Sequence, residues 1–151
     1  MNVRNGYTLA EMIMVVLVLA VIAALATPRL HFGQIQERQA EVTAWKIVAD
    51  LRRTRSLAIL EAASNPDGFA LEIKQTDHGA TYEIVNSGNK DIVDTHAVDS
   101  NVGFSGRMKF EFDSLGVLKE KNDPSVHVSA GEKTFTIRVI PTTGMVKCDA
   151  G

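Results

Sequence analysis

Glu11 is the residue whose surroundings most demand an explanation. It precedes Met12–Ala26, MIMVVLVLAVIAALA, a run with no charged or hydrogen-bonding side chain. A carboxylate inside a membrane helix costs about 2.5–3.5 kcal/mol at the centre and less near the edge, so it is kept for a reason. It either reaches the headgroups or pairs with a cation on another chain. The other reactive side chains are scattered. His31, His78, His96 and His127 lack metal-ligand spacing. Asp91, Asp94 and Asp99 lack the alternating ligands and closing glutamate of a calcium loop and read as a solvated acidic face. Cys148 is the one cysteine, which excludes an internal disulfide framework; it reads first as a small strand residue, with a cross-link between two subunits in an oxidising compartment as the lesser alternative. There is no G-x-G-x-x-G, Walker loop, G-x-S-x-G or H-E-x-x-H. The expectation is a non-enzyme with no cofactor, no metal and no catalytic residues.

The elements that position Glu11 follow from the distribution of apolar residues. The chain has 151 residues, 45% hydrophobic and 23% charged, with a net charge of −2. That allows one compact core with an appended segment, and excludes a large multidomain enzyme, a disordered chain and a general polyanion binder. From Tyr7 to Thr27 Glu11 is the single charge. As a helix this segment is about 31 Å long, matching a hydrocarbon core of roughly 30 Å. A retained transmembrane helix is expected over 7–27. The competing reading is a secretory signal cleaved after Ala24-Leu25-Ala26, against which stand the length of the run, the single Arg4 before it and the glutamate within it.

Gly6-Tyr7-Thr8-Leu9-Ala10-Glu11 followed by this apolar run resembles the class III signal of type IV pilins and type II secretion pseudopilins. The resemblance implies a leader over 1–6, cleavage by prepilin peptidase between Gly6 and Tyr7, and N-methylation of Tyr7. Thr8, Leu9 and Glu11 become the assembly residues, with Glu11 at the fifth mature position. Pro28 falls where many pilins carry a helix-bending proline, and its missing N–H predicts a kink, with a plain helix stop just beyond the membrane as the alternative. Tyr7 departs from the family's usual Phe. The new amine would meet Glu11 of a neighbouring subunit in a low-dielectric setting.

Residues 28–63 read as an amphipathic stalk helix continuous with the first, Tyr7–Ala62 spanning about 84 Å. Ala44, Val48, Leu51, Ala58 and Ala62, with Trp45 and Ile59 beside them, make its apolar face. Arg52-Arg53-Thr54-Arg55 reads as a solvated face or a contact with an acidic neighbour before it reads as a nucleic-acid patch. Ser64-Asn65-Pro66-Asp67-Gly68 ends the helix. Period-two segments then predict strands at 69–73, 81–85, 91–98, 102–104, 108–112, 126–129, 135–140 and 145–148. The expected fold is therefore α+β, a long N-terminal transmembrane and stalk helix packed on a small, mainly antiparallel β-sheet head over 64–151.

The head's Phe110-x-Phe112-Asp113-Ser114-x-Gly116 and Phe135–Val139 before a glycine turn resemble the GspH/FimT minor pseudopilin group. Some FimT-like proteins take up DNA with a basic Gly-Arg-x-Arg element. Here that stretch is Gly144-Met145-Val146-Lys147, and 64–151 holds nine Lys/Arg against 13 Asp/Glu, a net of −4, so nucleic acid is not an expected partner. The expected partners are prepilin peptidase, other pilins or pseudopilins, the inner-membrane assembly platform and the membrane. The expected place is the bacterial inner membrane, single-pass with a periplasmic head, then a pilus or pseudopilus filament. A major shaft subunit, a DNA-uptake minor pilin, and an anchored periplasmic enzyme or binding protein are the alternatives.

Overall fold

A computed structural model describes residues 8–26, 32–76 and 79–151. The chain divides into two units, Met1–His31 and Phe32–Gly151. The first holds helix α1 (Leu9–Ala26), 18 residues with Glu11 in the first turn. Every described side chain from Thr8 to Ala23 is exposed, on all sides of the helix.

This corrects the expected transmembrane and stalk helix. Among the described residues no helix is long and apolar enough to cross a membrane. At 1.5 Å per residue α1 is about 27 Å long, against the roughly 20 residues and 30 Å a bilayer core requires, and its first turn carries the carboxylate. The expected single-pass inner-membrane placement with a periplasmic head falls with that helix. Two helices are described, α1 and α2 (Phe32–Leu60), and the stretch that would join them into the expected continuous helix lies outside the described residues. Gly6, Tyr7 and Pro28 lie outside the described residues.

Helix α2 is the spine of the second unit. Ala40, Ala44, Ile47, Val48, Leu51, Thr54 and Ala58 recur at three- and four-residue spacing and are buried. Ala at three of these positions lets strands approach closely, while Ile47, Val48 and Leu51 supply the bulk. Trp45 and Ile59, expected beside the face, are instead 52% and 43% exposed. The face turns toward 40, 43, 47 and 54, away from both.

The strands are β1 (Phe69–Thr76), β2 (Gly79–Asn86), β3 (Ile92–Val98), β4 (Gly103–Gly106), β5 (Lys109–Phe112), β6 (Ser125–Ala130), β7 (Lys133–Val139) and β8 (Val146–Ala150). They form two four-stranded antiparallel sheets, β3-β2-β1-β5 and β4-β6-β7-β8, rather than one. β4 and β5 are successive pieces of a single run that bends at Gly106-Arg107-Met108: β4 pairs with β6, β5 with β1. That bent run ties the sheets together, and Gly106 takes the left-handed φ of 89° that the corner needs. α2 touches β1 and β5 of one sheet and β6, β7 and β8 of the other. Phe69, Leu71, Tyr82, Phe110 and Phe112 meet it from the first sheet, and Val126, Ile137 and Val139 from the second.

Each fully buried large aliphatic or aromatic side chain contributes about 1.5–3 kcal/mol. Leu51→Ala is expected to cost about 2–5 kcal/mol of unfolding free energy, read from urea denaturation, because the cavity opens where both sheets meet α2. Trp45→Ala is expected to cost less than about 1 kcal/mol, since half of the indole faces water. Equal losses at the two positions would contradict this account of the seam.

Candidate functional site

Two places gather the chemistry-bearing residues. The first is the start of α1. The Glu11 N–H lies 3.3 Å from Thr8 Oγ1 and 3.1 Å from the Thr8 carbonyl, which also accepts from Met12 N–H at 3.2 Å. Thr8 is thus the N-cap and Glu11 the third helical residue, the spacing of a capping box. A carboxylate here also faces the positive end of the helix dipole. Leu9, 81% exposed, precedes an apolar surface that the chain leaves open. The structure therefore brings Thr8, Leu9 and Glu11 into one helix turn. The signal missed in the sequence was Thr8-x-x-Glu11, a helix-start pattern that explains Glu11 locally before any partner is invoked.

The second is a groove of about 370 Å³ between the first half of α2 and β3, lined by Ile35, Val42, Tyr82, His96 and Val98 and rimmed by Arg38 and Lys46. Tyr82 donates to Asp50 Oδ2 at 2.8 Å and stacks on His96, ring centroids 4.9 Å apart. His96 Nε2 lies 3.5 Å from Asp94 Oδ2 and 3.7 Å from Asp50 Oδ2. Burial, and then the hydrogen bond to Asp50, push the Tyr82 phenol well above its ordinary value. Arg53 holds the Asp94 carboxyl below its ordinary range through a 2.6 Å contact. The network closes the gap between α2 and the outer strands, with Tyr82 as a protonated donor. Nothing in the sequence periodicity marked it, because its members come from α2, β2 and β3.

The remaining candidates separate. Asp91 accepts from Asn89 Nδ2 at 2.6 Å, Asp94 takes Arg53, and Asp99 lines the groove. Among the described residues no group of three or more His, Cys, Asp or Glu side chains is arranged to hold a metal ion. His127 pairs with Thr136 Oγ1 at 3.0 Å, and His31 and His78 lie outside the described residues. The cationic run is largely occupied within the fold: besides Arg53, Arg55 Nε donates to the Gly116 carbonyl at 3.1 Å and Arg52 reaches the Val146 carbonyl at 3.4 Å. Gly144, with φ 65°, packs on Gly116 and Arg55, where any side chain would strike the Gly116 carbonyl. The Gly144–Lys147 stretch therefore begins as a structural turn. Cys148 is half-buried on β8, and burial, then Asp149, push its thiol up.

The fold and these sites define an α+β protein with one helix laid on two joined antiparallel sheets. No family model, curated protein or solved structure matches the chain.

The Tyr82 shift has a definite sign. A folded pKa raised above the unfolded value leaves stability intact below pH about 10, the unfolded value, and removes it as pH climbs from there toward the folded value. Urea denaturation between pH 8 and pH 11 is expected to show Tyr82→Phe losing less stability than the parent chain over the alkaline limb. At pH 8 the variant is expected to be about 1 kcal/mol weaker, from the lost hydrogen bond. Parallel pH curves for the two would refute the assignment.

Proposed function

We propose that the chain is a pilin-like structural subunit, cut by prepilin peptidase after Gly6, N-methylated on Tyr7, and assembled through its N-terminal helix with other pilin-like subunits. The filament is a type II secretion pseudopilus or a type IV pilus, and the subunit a minor, GspH/FimT-like component. The observation that carries this reading is α1 itself. An 18-residue helix apolar on every side, with one carboxylate at its capped start, exposes Leu, Ile, Val and Met side chains that another surface must cover. Packing against the same helix in neighbouring subunits covers them. Cleavage before Tyr7 leaves an amine just outside the cap, and Glu11 of an adjacent subunit neutralises it where water is excluded and opposite charges attract strongly.

The head supports a structural role. Its buried residues serve one core, its net charge of −4 opposes phosphate binding, and Arg52, Arg53 and Arg55 are engaged inside the fold, which disfavours DNA uptake. The single cysteine departs from the C-terminal pair of many major pilins and favours a minor subunit.

Glu11→Ala is expected to reduce recovery of the subunit in sheared filaments by roughly tenfold or more, consistent with loss of a low-dielectric ion pair. Its urea midpoint, set by the α2-centred core, should stay unchanged. Gly6→Ala is expected to leave the chain uncut. Normal incorporation of Glu11→Ala would sink the proposal.

A further inference from the structure

The second sheet ends in a strand whose outer side is unpaired among the described residues. β8 pairs with β7 in regular register, Val139↔Val146 through Phe135↔Ala150, with no bulge. The hydrogen bonds at its two ends fix which backbone groups face β7: Ile140 N–H donates to the Met145 carbonyl at 2.8 Å, and Gly151 N–H to the Thr134 carbonyl at 2.9 Å. Odd-numbered residues therefore bond inward along this strand, and alternation turns the N–H and C=O groups of Val146, Cys148 and Ala150 to the open edge. Of these, the Val146 carbonyl already receives Arg52 at 3.4 Å. By contrast the other long edge, β3, is interrupted by a register shift opposite Ile84/Val85, a device that blunts strand pairing.

The side chains of β8 read the same way in both directions. Antiparallel pairing with an identical strand, centred on Cys148, sets Val146 against Ala150 of the second copy, Lys147 against Asp149 of the second copy, and Cys148 against itself. Both opposed charges lie on the outer face, and neither has an ion-pair partner in its own chain among the described residues. Lys147 stands beside Arg138 across the β7–β8 pair, two like charges with no carboxylate on either among the described residues. A directly opposed like pair is destabilising, and the second copy's Asp149 arrives where it relieves that repulsion.

We propose that the free edge of β8 is a self-complementary docking strand for a second copy of this chain, pairing antiparallel about Cys148 and joining the two β4-β6-β7-β8 sheets into one of eight strands. The two-fold axis reverses α2 of one copy relative to the other. The contact is therefore distinct from side-by-side growth of a polar filament, and it does not rest on the pilin-like assignment.

The lone cysteine supplies the probe. Opposed residues that exchange backbone hydrogen bonds have Cα atoms about 5.5 Å apart, within the roughly 4.4–6.8 Å that a disulfide spans. The full chain, kept dispersed in mild detergent and oxidised with copper–phenanthroline, is expected to give a Cys148–Cys148 dimer on a non-reducing gel. Lys147→Glu alone and Asp149→Lys alone each set like charges face to face and are expected to lower the dimer yield roughly tenfold. The combined variant carrying both exchanges restores opposite charges in the same register and is expected to recover it. Both positions are exposed, so circular dichroism of every variant should match the parent. No dimer from the parent, single variants that cross-link as well as the parent, or a combined variant that fails to recover would each overturn the proposal. Association through α1 is indifferent to these charges and would show up as the second of these outcomes.

Discussion

Apolar surface has to leave water, and this chain meets that constraint in two different ways. On α2 the apolar side chains occupy one stripe, and two sheets close over it. Ala40, Ala44, Ile47, Val48, Leu51 and Ala58 are at most 1% exposed as a result. On α1 the apolar residues run all the way round, so no single covering layer of the chain's own could satisfy them, and they remain open from Leu9 to Ala23. The same physical demand that folds the second unit becomes, in the first, a demand for other molecules. The proposed function is that unmet burial read as assembly.

Everything around α2 serves to hold two sheets on one helix. The bent run from β4 to β5 joins them covalently, with Gly106 at the corner. At the helix's far end, the Gly116 turn closes on Ile59 and the Gly144 turn on Arg55 and the Gly116 carbonyl, so tightly that neither position accepts a side chain without displacement. Along its flank, Arg53–Asp94 and Tyr82–Asp50 tie β3 and β2 to the helix. These polar contacts add modest free energy and join β2 and β3 to the same helix, whose rotation on the sheets leaves Trp45 exposed and Ile47 buried.

Much of the second unit was legible in the sequence because strand alternation is local. All eight strands overlap the period-two segments, and turns fall at Gly116 and Gly144 as the glycines indicated. What was not legible is non-local. The division into two sheets depends on a bend at Gly106-Arg107-Met108 inside what reads as separate strands. The helix rotation depends on which flank of the expected apolar face the sheets cover, and they leave out Trp45 and Ile59, which the spacing set beside it. The transmembrane helix was an over-reading of another kind: unbroken hydropathy over 7–27 set the length, whereas the helix itself spans Leu9–Ala26 and spends its first turn on Thr8 and Glu11. At the candidate site, Glu11 stood out by its surroundings alone, while the groove network of Tyr82, His96 and Asp50 could appear only once α2 was laid beside β2 and β3.

The pilin-like account depends on Tyr7 being the first residue of the finished protein, because only then does an amine stand beside the cap for Glu11 of a neighbour to meet. The mass of the amino-terminal peptide of the mature chain tests this most directly. The account predicts a peptide that begins at Tyr7 and carries one N-methyl group. A chain that begins after Ala26, or one that retains Met1–Gly6 in the assembled form, would contradict it.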